Sequence, residues 1–499
     1  MKKYILALVA IASITLTSCN DWLDVRGDME MKEEDLFSKK QGFRDALTGC
    51  YMTMADQNAY GEKLTMSNIE SLANLWALDD YQYLKADYYL KQHNYEQDDA
   101  RAAIKAIYAK LFNVVVQVNT LLKNLEENGG VIDDPQLRAV IEGEAYALRA
   151  YCQFDILRLF GQLPQGGTLQ VSLPYTETAS IDDVPPYYTF SEYVTKLEKD
   201  ITKALDLLED NDPLFEYTFS QLNSSSSKIL DEDYFYYRQS RLNYWAVKAL
   251  QARVHLYLGN KAEAHTIAME IINAKNVEGD PVKNLSGVSD LNNGYMACPT
   301  ECLFYISKYD ILDYATKLLG GNGEQVRSAE QLVLTYNRFT ELYAGVNTAS
   351  HNRYQLQWNR NVRDAFSNSF VSTKKYYFNE DDVSSSQTRN LLIPMIRMSE
   401  IYLMAIETAT SLDVANKLYD TYMRDHNILL DGDAFSSLDD IQGVVIDEYR
   451  REFFAEGVMF YVYKRTNSKN MMWRTTQVTE NEYILPLPDT EFNPNDIQK

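Results

Sequence analysis

The spacing of apolar residues constrains this chain more than any other feature. Apolar side chains recur at intervals of 4, 3, 4, 4 and 3 in the series Ile141, Ala145, Leu148, Cys152, Ile156 and Leu159. These intervals keep one face of an α-helix apolar over about five turns. Gly (21) and Pro (12) are scarce among the 499 residues, which argues against a turn-dense all-β chain. The pattern therefore predicts a mainly α protein.

The predicted helices come in adjacent pairs. A helix through Trp245 and Leu256 stops at Gly259-Asn260, and a second one follows through Ala264 to Ile271. Helix pairs of about 34 residues are typical of tetratricopeptide-like folds. A similar pair is predicted near the C-terminus, and single long helices are predicted at 101–127 and 193–209. The second pair runs through Ile401 and Ala405, and then through Leu412, Ala415, Tyr419 and Tyr422.

Three stretches lack helical period, which excludes an unbroken helical array. We expect them to form loop-rich insertions with a few short strands, near residues 211–237, 276–328 and 345–395. Functional surfaces are over-represented on such segments. The predicted fold is therefore a set of tetratricopeptide-like helix pairs that carries these insertions.

The N-terminus has the pattern of a bacterial lipoprotein signal. Lys2 and Lys3 precede a short apolar stretch, which ends in Leu16-Thr17-Ser18-Cys19. We predict that residues 1–18 are a signal peptide, that Cys19 is acylated (a palmitate-type modification), and that residues 19–499 form one domain. No later run reaches 18 apolar residues, so membrane contact is expected through the lipid anchor only. A plain secretory peptide is the alternative.

The net charge argues against nucleic acid as a partner. The chain has 71 acidic and 48 basic residues, a balance of −23, and removal of two lysines with the signal would leave −25. Binding to phosphates needs an excess of Lys and Arg.

Motifs for a cofactor or a metal ion are missing from the sequence. There is no phosphate-binding glycine motif, and the five histidines are scattered without a metal-ligand spacing. We therefore predict no cofactor and no metal, with calcium on surface carboxylates left open. Cys298 and Cys302 lie four residues apart, and a disulfide between them is left open.

Aromatic residues give the strongest local signal for ligand binding. The chain has 37 tyrosines, and Trp76 begins a polar segment with two neighbouring carboxylates. Planar rings stack on the apolar faces of sugars, while carboxylates bind hydroxyl groups. A second such segment runs from Tyr295 to Tyr309. The predicted ligand-binding residues are Trp76, Asp79, Asp80, Tyr81, Tyr83, Tyr295 and Tyr309. A packing role for Trp76 and a solvated acidic turn at Asp79-Asp80 are the alternatives.

Six segments in order resemble the SusD/RagB family of Bacteroidetes outer-membrane lipoproteins. The first is the predicted mature start, Cys19 to Val25, and the last is Tyr483 to Pro488, which resembles the closing strand of the family. The four others are Asp35-Leu36-Phe37 with Ala46 to Tyr51, Glu142 to Gly161, Ile396 to Leu403, and Arg450 to Gly457.

The resemblance implies a nutrient-binding lipoprotein on the outer membrane that faces the cell exterior. Such a protein would capture an oligosaccharide, or in some members a peptide, and deliver it to a SusC-like TonB-dependent transporter without catalysis. Two positions where the family usually has Arg and Asp carry Met459 and Val462, which we expect to repack together. The charged motif residues are expected to pair within the scaffold; they are Arg149, Arg397, Glu400, Arg450, Glu452 and Glu456.

Two other classes of protein stay open at this point. An all-helical glycosidase or lyase would need a close carboxylate pair, or a Tyr or His base, in a deep cleft. A helical-repeat scaffold that binds only protein would need neither. The sequence does not decide between a glycan and a peptide as the ligand.

Overall fold

The computed structural model describes residues 32–78, 84–180, 183–225, 228–320, 330–364, 366–378 and 390–489. Within these residues the chain is mainly helical, as predicted. The helices are α1 Glu33–Leu36, α2 Lys40–Met54, α3 Asn68–Leu72, α4 Lys85–Lys91, α5 Asp98–Asn128, α6 Pro135–Phe160, α7 Phe190–Glu209, α8 Phe219–Leu222, α9 Tyr244–Leu258, α10 Lys261–Asn273, α11 Gly287–Asn292, α12 Ile311–Tyr314, α13 Tyr336–Leu342, α14 Asn352–Leu356, α15 Met398–Glu407, α16 Leu412–Asp425, α17 Leu438–Glu452 and α18 Met459–Arg465.

The strands are short and form three small antiparallel sheets. β1 pairs with β2, β3 pairs with β7, and β6 lies between β4 and β5. The sheets of β3–β7 and β4–β6–β5 arise mainly from the predicted insertions. The strands are β1 Leu173–Pro174, β2 Tyr187–Tyr188, β3 Cys302–Ser307, β4 Leu334–Thr335, β5 Trp358–Arg363, β6 Ser369–Thr373 and β7 Leu392–Arg397.

Helix α6 is the centre of the N-terminal half. It packs against α2, α5 and α7, so its polar residues are buried together with its apolar face. Arg149 donates two hydrogen bonds to Asp200 of α7, each 2.7 Å long. Buried charges persist only when paired in this way. The pair thus fixes how α6 and α7 lie against each other.

The predicted helix pair at 245–271 is confirmed as α9 and α10. Asn243 caps α9 by accepting a hydrogen bond from the Ala246 N–H at 3.1 Å. Gly259 ends α9 with a φ of +83°, a conformation that glycine adopts without a steric cost. The chain can therefore turn back at once into α10. The C-terminal pair is α15 and α16.

The charged family motifs are scaffold residues, as expected. Arg397 at the end of β7 binds Glu301, which precedes β3, and also Glu452 and Glu456, which lie at and just after the end of α17. Glu400 on α15 accepts two hydrogen bonds from Arg253 of α9, 2.8 and 2.6 Å long. These pairs hold the sheet of β3–β7 against the C-terminal helices.

The remaining motif arginines and the two departures also lie in the scaffold. Arg450 donates to Asp447 at 2.5 Å and to the Tyr463 hydroxyl at 3.1 Å. Met459 and Val462 are both buried on α18, where they leave no unpaired charge.

One family motif has a different local structure from the predicted one. Residues Asn481–Tyr483 form a 3₁₀ turn, and the chain after it forms no strand up to residue 489. Leu485 N–H instead donates one hydrogen bond to the Leu159 carbonyl at 3.0 Å. The expectation of a closing strand is therefore wrong, because this segment meets the end of helix α6 and not another strand.

The cysteines and the membrane prediction can be compared only in part with the structure. Cys50, Cys152, Cys298 and Cys302 are buried free thiols. Cys19 and the predicted signal lie outside the described residues. In the part of the chain that the structure describes, every helix is too short or too polar to span a bilayer.

Candidate functional site

Hydrogen bonds connect the segments that carry the predicted ligand aromatics to other loop segments of the chain. The Ala77 N–H donates to the Val333 carbonyl at 2.9 Å, and the Lys308 N–H donates to the Leu391 carbonyl at the same distance. The Ser372 hydroxyl reaches the Gly320 carbonyl at 3.3 Å. The segment of Trp76 is therefore held at Val333, and the segment of Tyr309 is held at Leu391.

Trp76 is a packing residue and not a ligand-stacking residue. Its side chain is 0% exposed, and its indole N–H donates to the Met66 carbonyl at 2.9 Å. Its ring meets the edge of Phe454 with centroids 4.9 Å apart. No face of the ring is open to a ligand, so the prediction of Trp76 as a ligand-binding residue is wrong. The prediction was based on the polar residues next to Trp76 in the sequence, but the ring points away from these neighbours.

The other predicted residues divide into three groups. Tyr295 is buried, with 9% of its surface exposed, and therefore offers no open ring. Tyr309 is 86% exposed, and its side chain has no hydrogen bond or ring contact with the described residues. Asp79, Asp80, Tyr81 and Tyr83 lie outside the described residues, and their role stays a prediction.

Tyr309 lies beside a cluster of polar side chains from the turn that follows α2. Lys308 connects them: its ammonium lies 3.0 Å from Asp310, 3.4 Å from the Ala55 carbonyl and 4.1 Å from the centre of the Tyr314 ring. We call this surface the loop face. Its members are Asp56, Asn58, Glu62, Lys63, Lys308, Tyr309, Asp310 and Tyr314.

Hydrogen bonds hold the polar groups of the loop face in place. Lys63 donates to the side-chain Oδ1 of Asn58 at 2.6 Å, and the backbone N–H of Asn58 donates to the Asp56 carboxylate at 2.8 Å. Asp56 also pairs with Lys110 at 3.2 Å, while Glu62 accepts from Ser67 at 3.1 Å. A surface fixed in this way loses little conformational freedom when it binds a ligand.

The charges of the loop face act on one another. Burial raises the pKa of Glu62, and the neighbouring carboxylate of Asp87 raises it further. Burial lowers the pKa of Lys63, which opposes the effect of the surrounding carboxylates. The pKa of Tyr314 rises because of burial and then the charges of Asp310, Glu62 and Asp56. The surface thus carries three carboxylates and two lysines, and Lys110 beside it pairs with one of the carboxylates.

The sequence did not point to most of the loop face. Tyr314 and Lys308 lie in the predicted insertion at 276–328 without a motif of their own. Asp56 and Glu62 belong to a segment of turns that has no helical period. Only the fold brings these two segments together, so a tyrosine-rich insertion was the one signal available.

The described residues do not assemble an evident metal site. No group of three or more His, Cys, Asp and Glu side chains in the described ranges could hold an ion.

Comparison with known proteins links the chain to one family. Residues 21–222 match a SusD-like family model described as starch-binding and associating with the outer membrane. SusD-like protein P2 of Formosa agariphila is 23% identical over 167 residues, which is 33% of this chain and 31% of that protein. The match thus spans about a third of the length of this relative.

Solved structures share the fold over almost the whole chain. A SusD superfamily protein of Bacteroides thetaiotaomicron has a TM-score of 0.69 at 19% identity, covering 92% of this chain and 98% of that one. A protein of Bacteroides vulgatus described as a putative sugar binding protein has 0.65 at 19%, covering 91% and 96%. A laminarin binding SusD-like protein has 0.61 at 15%, covering 91% and 97%. The resemblance to the SusD/RagB family is therefore confirmed, and the described chain has the SusD fold.

Proposed function

We propose that this protein is a surface lipoprotein that captures an oligosaccharide on the loop face without chemical conversion. The observation that carries the proposal is Tyr309, whose side chain is 86% exposed beside fixed hydrogen-bonding groups. Because this aromatic ring is exposed, it contributes little to the packing of its own chain. It offers a flat surface to a sugar ring, while the surrounding carboxylates and lysines can bind hydroxyl groups.

The known relatives support a glycan over a peptide. The matched family model is described as starch-binding, and one structural neighbour is described as laminarin binding. Both ligands are polymers of neutral sugars, and the nearly balanced charges of the loop face suit a neutral ligand.

The geometry of the charged groups argues for binding and against hydrolysis. Five charged side chains, Asp155, Arg158, Arg253, Glu400 and Glu456, line one cavity, yet its volume is only about 30 Å³. That volume suits an ordered water and not a sugar. Its carboxylates are engaged with arginines, and so none of them is free to act as an acid or a base.

Delivery and location complete the proposal. We propose that Cys19 carries the lipid anchor on the outer membrane, facing the exterior, and that the bound glycan passes to a SusC-like TonB-dependent transporter. The family description and the lipobox pattern support this location.

The test is a glycan and peptide array, followed by titration calorimetry with the best ligand. We expect a neutral glycan to bind, and Tyr309→Ala to weaken it by about 1–3 kcal/mol with an unchanged melting temperature. Phe366→Ala is the matched control, because Phe366 is equally exposed, at 87%, on the β5–β6 hairpin. Selective binding of peptides, release of cleaved sugars, or equal affinities of both variants would contradict the proposal.

A further inference from the structure

A second aromatic surface lies next to the loop face. Between the C-terminal end of α2 and the segment before α9 there is a groove with a volume of about 320 Å³. We call it the tyrosine groove, and its principal residues are Met52, Asp233, Tyr234, Tyr237, Arg241 and Ser307. None of these residues was singled out by the sequence motifs.

The backbone conformation of Tyr237 exposes its ring in the groove. Tyr237 is 45% exposed and has a φ of +58°, a left-handed conformation that is unfavourable for tyrosine. Its N–H donates to the Leu222 carbonyl at 2.7 Å, and its carbonyl accepts from the Ser240 hydroxyl at 2.8 Å. The surrounding chain therefore stabilises a strained position that exposes an aromatic ring.

The base of the groove is rigid. The Arg241 guanidinium lies 3.9 Å from the centre of the Tyr234 ring and donates to the Tyr234 carbonyl. It also lies 3.5 Å from Glu144, whose other oxygen accepts from Tyr51 at 2.8 Å. Arg241 is thus engaged by its own chain and adds little free positive charge to the groove.

Free polar groups stand beside the open ring. The side chains of Asp233 and Ser307 are exposed, and neither has a hydrogen bond to the part of the chain that the structure describes. Met52, which is 71% exposed, adds an apolar wall. A planar ring beside a carboxylate and a hydroxyl matches a ligand with apolar faces and many hydroxyl groups, and the free carboxylate disfavours an anionic one.

The groove and the loop face are connected through two short pieces of chain. Ser307 lines the groove, and Tyr309 of the loop face is two residues further along. Met52 also lines the groove, and Ala55, three residues on, accepts a hydrogen bond from Lys308. Consecutive Cα atoms lie about 3.8 Å apart, so the two surfaces adjoin.

We propose that the tyrosine groove is a second subsite for the same neutral oligosaccharide, so that the protein selects long chains over short ones. This inference rests on the proposed function. A short glycan can occupy only the loop face, whereas a longer one can continue past Tyr309 and stack on Tyr237. The second contact is then made at a high effective concentration, and the affinity rises once the chain is long enough to reach it.

The experiment uses length series from disaccharide to octasaccharide, with malto-oligosaccharides, laminari-oligosaccharides and every series that binds on the array. Tyr237→Asn removes the ring and keeps a residue that tolerates positive φ. We expect the wild type to bind long chains at least about ten-fold more tightly than short ones, and the variant to lose this gain while binding short chains normally. Tyr336→Ala, which changes a tyrosine that is 47% exposed elsewhere, should keep the length dependence.

Each other outcome overturns the inference. Equal affinity of Tyr237→Asn and the wild type at every length would show that the groove does not bind the glycan. Loss at all lengths would make the groove the primary site, and loss of transporter co-purification alone would assign it to protein contact. Absence of binding in every series would overturn the proposed function as well, whereas binding that depends on Tyr309 but not on Tyr237 would overturn only this inference.

Discussion

At the scale of single residues, the buried ionisable groups determine how the protein responds to pH. Glu70 on α3 is fully buried, and its Oε1 accepts a hydrogen bond from the Gly457 N–H at 2.7 Å. Its Oε2 has no hydrogen bond among the described residues. Burial raises the pKa of this carboxyl to about 8, so the folded protein holds it protonated at neutral pH.

We predict that Glu70→Gln changes the pH dependence of stability. An ordinary glutamate has a pKa of 4.5, so between pH 4.5 and about 8 the folded state keeps a proton that the unfolded state releases. The contribution of Glu70 to the free energy of unfolding of the wild type should therefore decrease as the pH rises through this window. The variant lacks that contribution, and its stability relative to the wild type should rise with pH. Urea unfolding at a series of pH values measures the difference.

Glu34→Gln serves as the control, because Glu34 is exposed on α1. Its stability curve should run parallel to that of the wild type. A parallel curve for Glu70→Gln would show that Glu70 is ionised in the fold.

A second residue-scale prediction concerns the four described cysteines. Burial raises the pKa of the Cys50 thiol to about 12, and it raises the pKa values of Cys152, Cys298 and Cys302 as well. Only a thiolate reacts rapidly. We therefore expect the native Cys19→Ala protein to show no fast-reacting thiol in a colorimetric assay, and four after denaturation. Two after denaturation would instead indicate a disulfide between Cys298 and Cys302.

At the scale of elements, long periodic helices were predicted well. The predicted helix at 101–127 is α5, Asp98–Asn128, and the one at 193–209 is α7, Phe190–Glu209. Strands β1 and β2 have two residues each, which is too short for a period to be visible in the sequence. The partner of Arg149 was not visible either, because Asp200 lies on another helix.

The candidate site was predicted less well than the helices. Exposure in a loop depends on where each ring turns, and neighbours in sequence do not determine this. Trp76 turns toward Phe454, which is far away in the chain, whereas Tyr309 turns to solvent. Tyr237 was not predicted as a ligand-binding residue, because its exposure follows from a left-handed backbone conformation that no sequence motif indicated.

We predict that Trp76→Ala loosens the joint between the segment after α3 and the C-terminal region. The change leaves a cavity at Phe454 and an unpaired Met66 carbonyl, so it should cost about 3–5 kcal/mol of stability. Thermal and urea unfolding measure this loss. Tyr309→Ala, which removes an exposed ring, should leave the melting temperature unchanged. An equal melting temperature for Trp76→Ala would place its ring outside the core.

At the scale of the whole molecule, the anchor predicted at Cys19 should account for membrane association. We expect Cys19→Ala to appear in the soluble fraction with a normal circular dichroism spectrum, because the variant lacks the thiol on which the lipid is predicted. Wild type and variant are compared after a high-salt wash of the membranes, which removes proteins held by charge alone. Retention of the variant in the washed membranes would show that another element holds it.

The three-carboxylate contact of Arg397 limits how this sequence can change over evolutionary time. Replacing the arginine alone would leave Glu301 buried without its cationic partner, while Glu452 and Glu456 would keep Arg353 and Lys375. Replacing one carboxylate would leave the other two still paired with Arg397. Single mutations at this junction are therefore expected to be removed by selection, so relatives should keep all four residues or exchange several together.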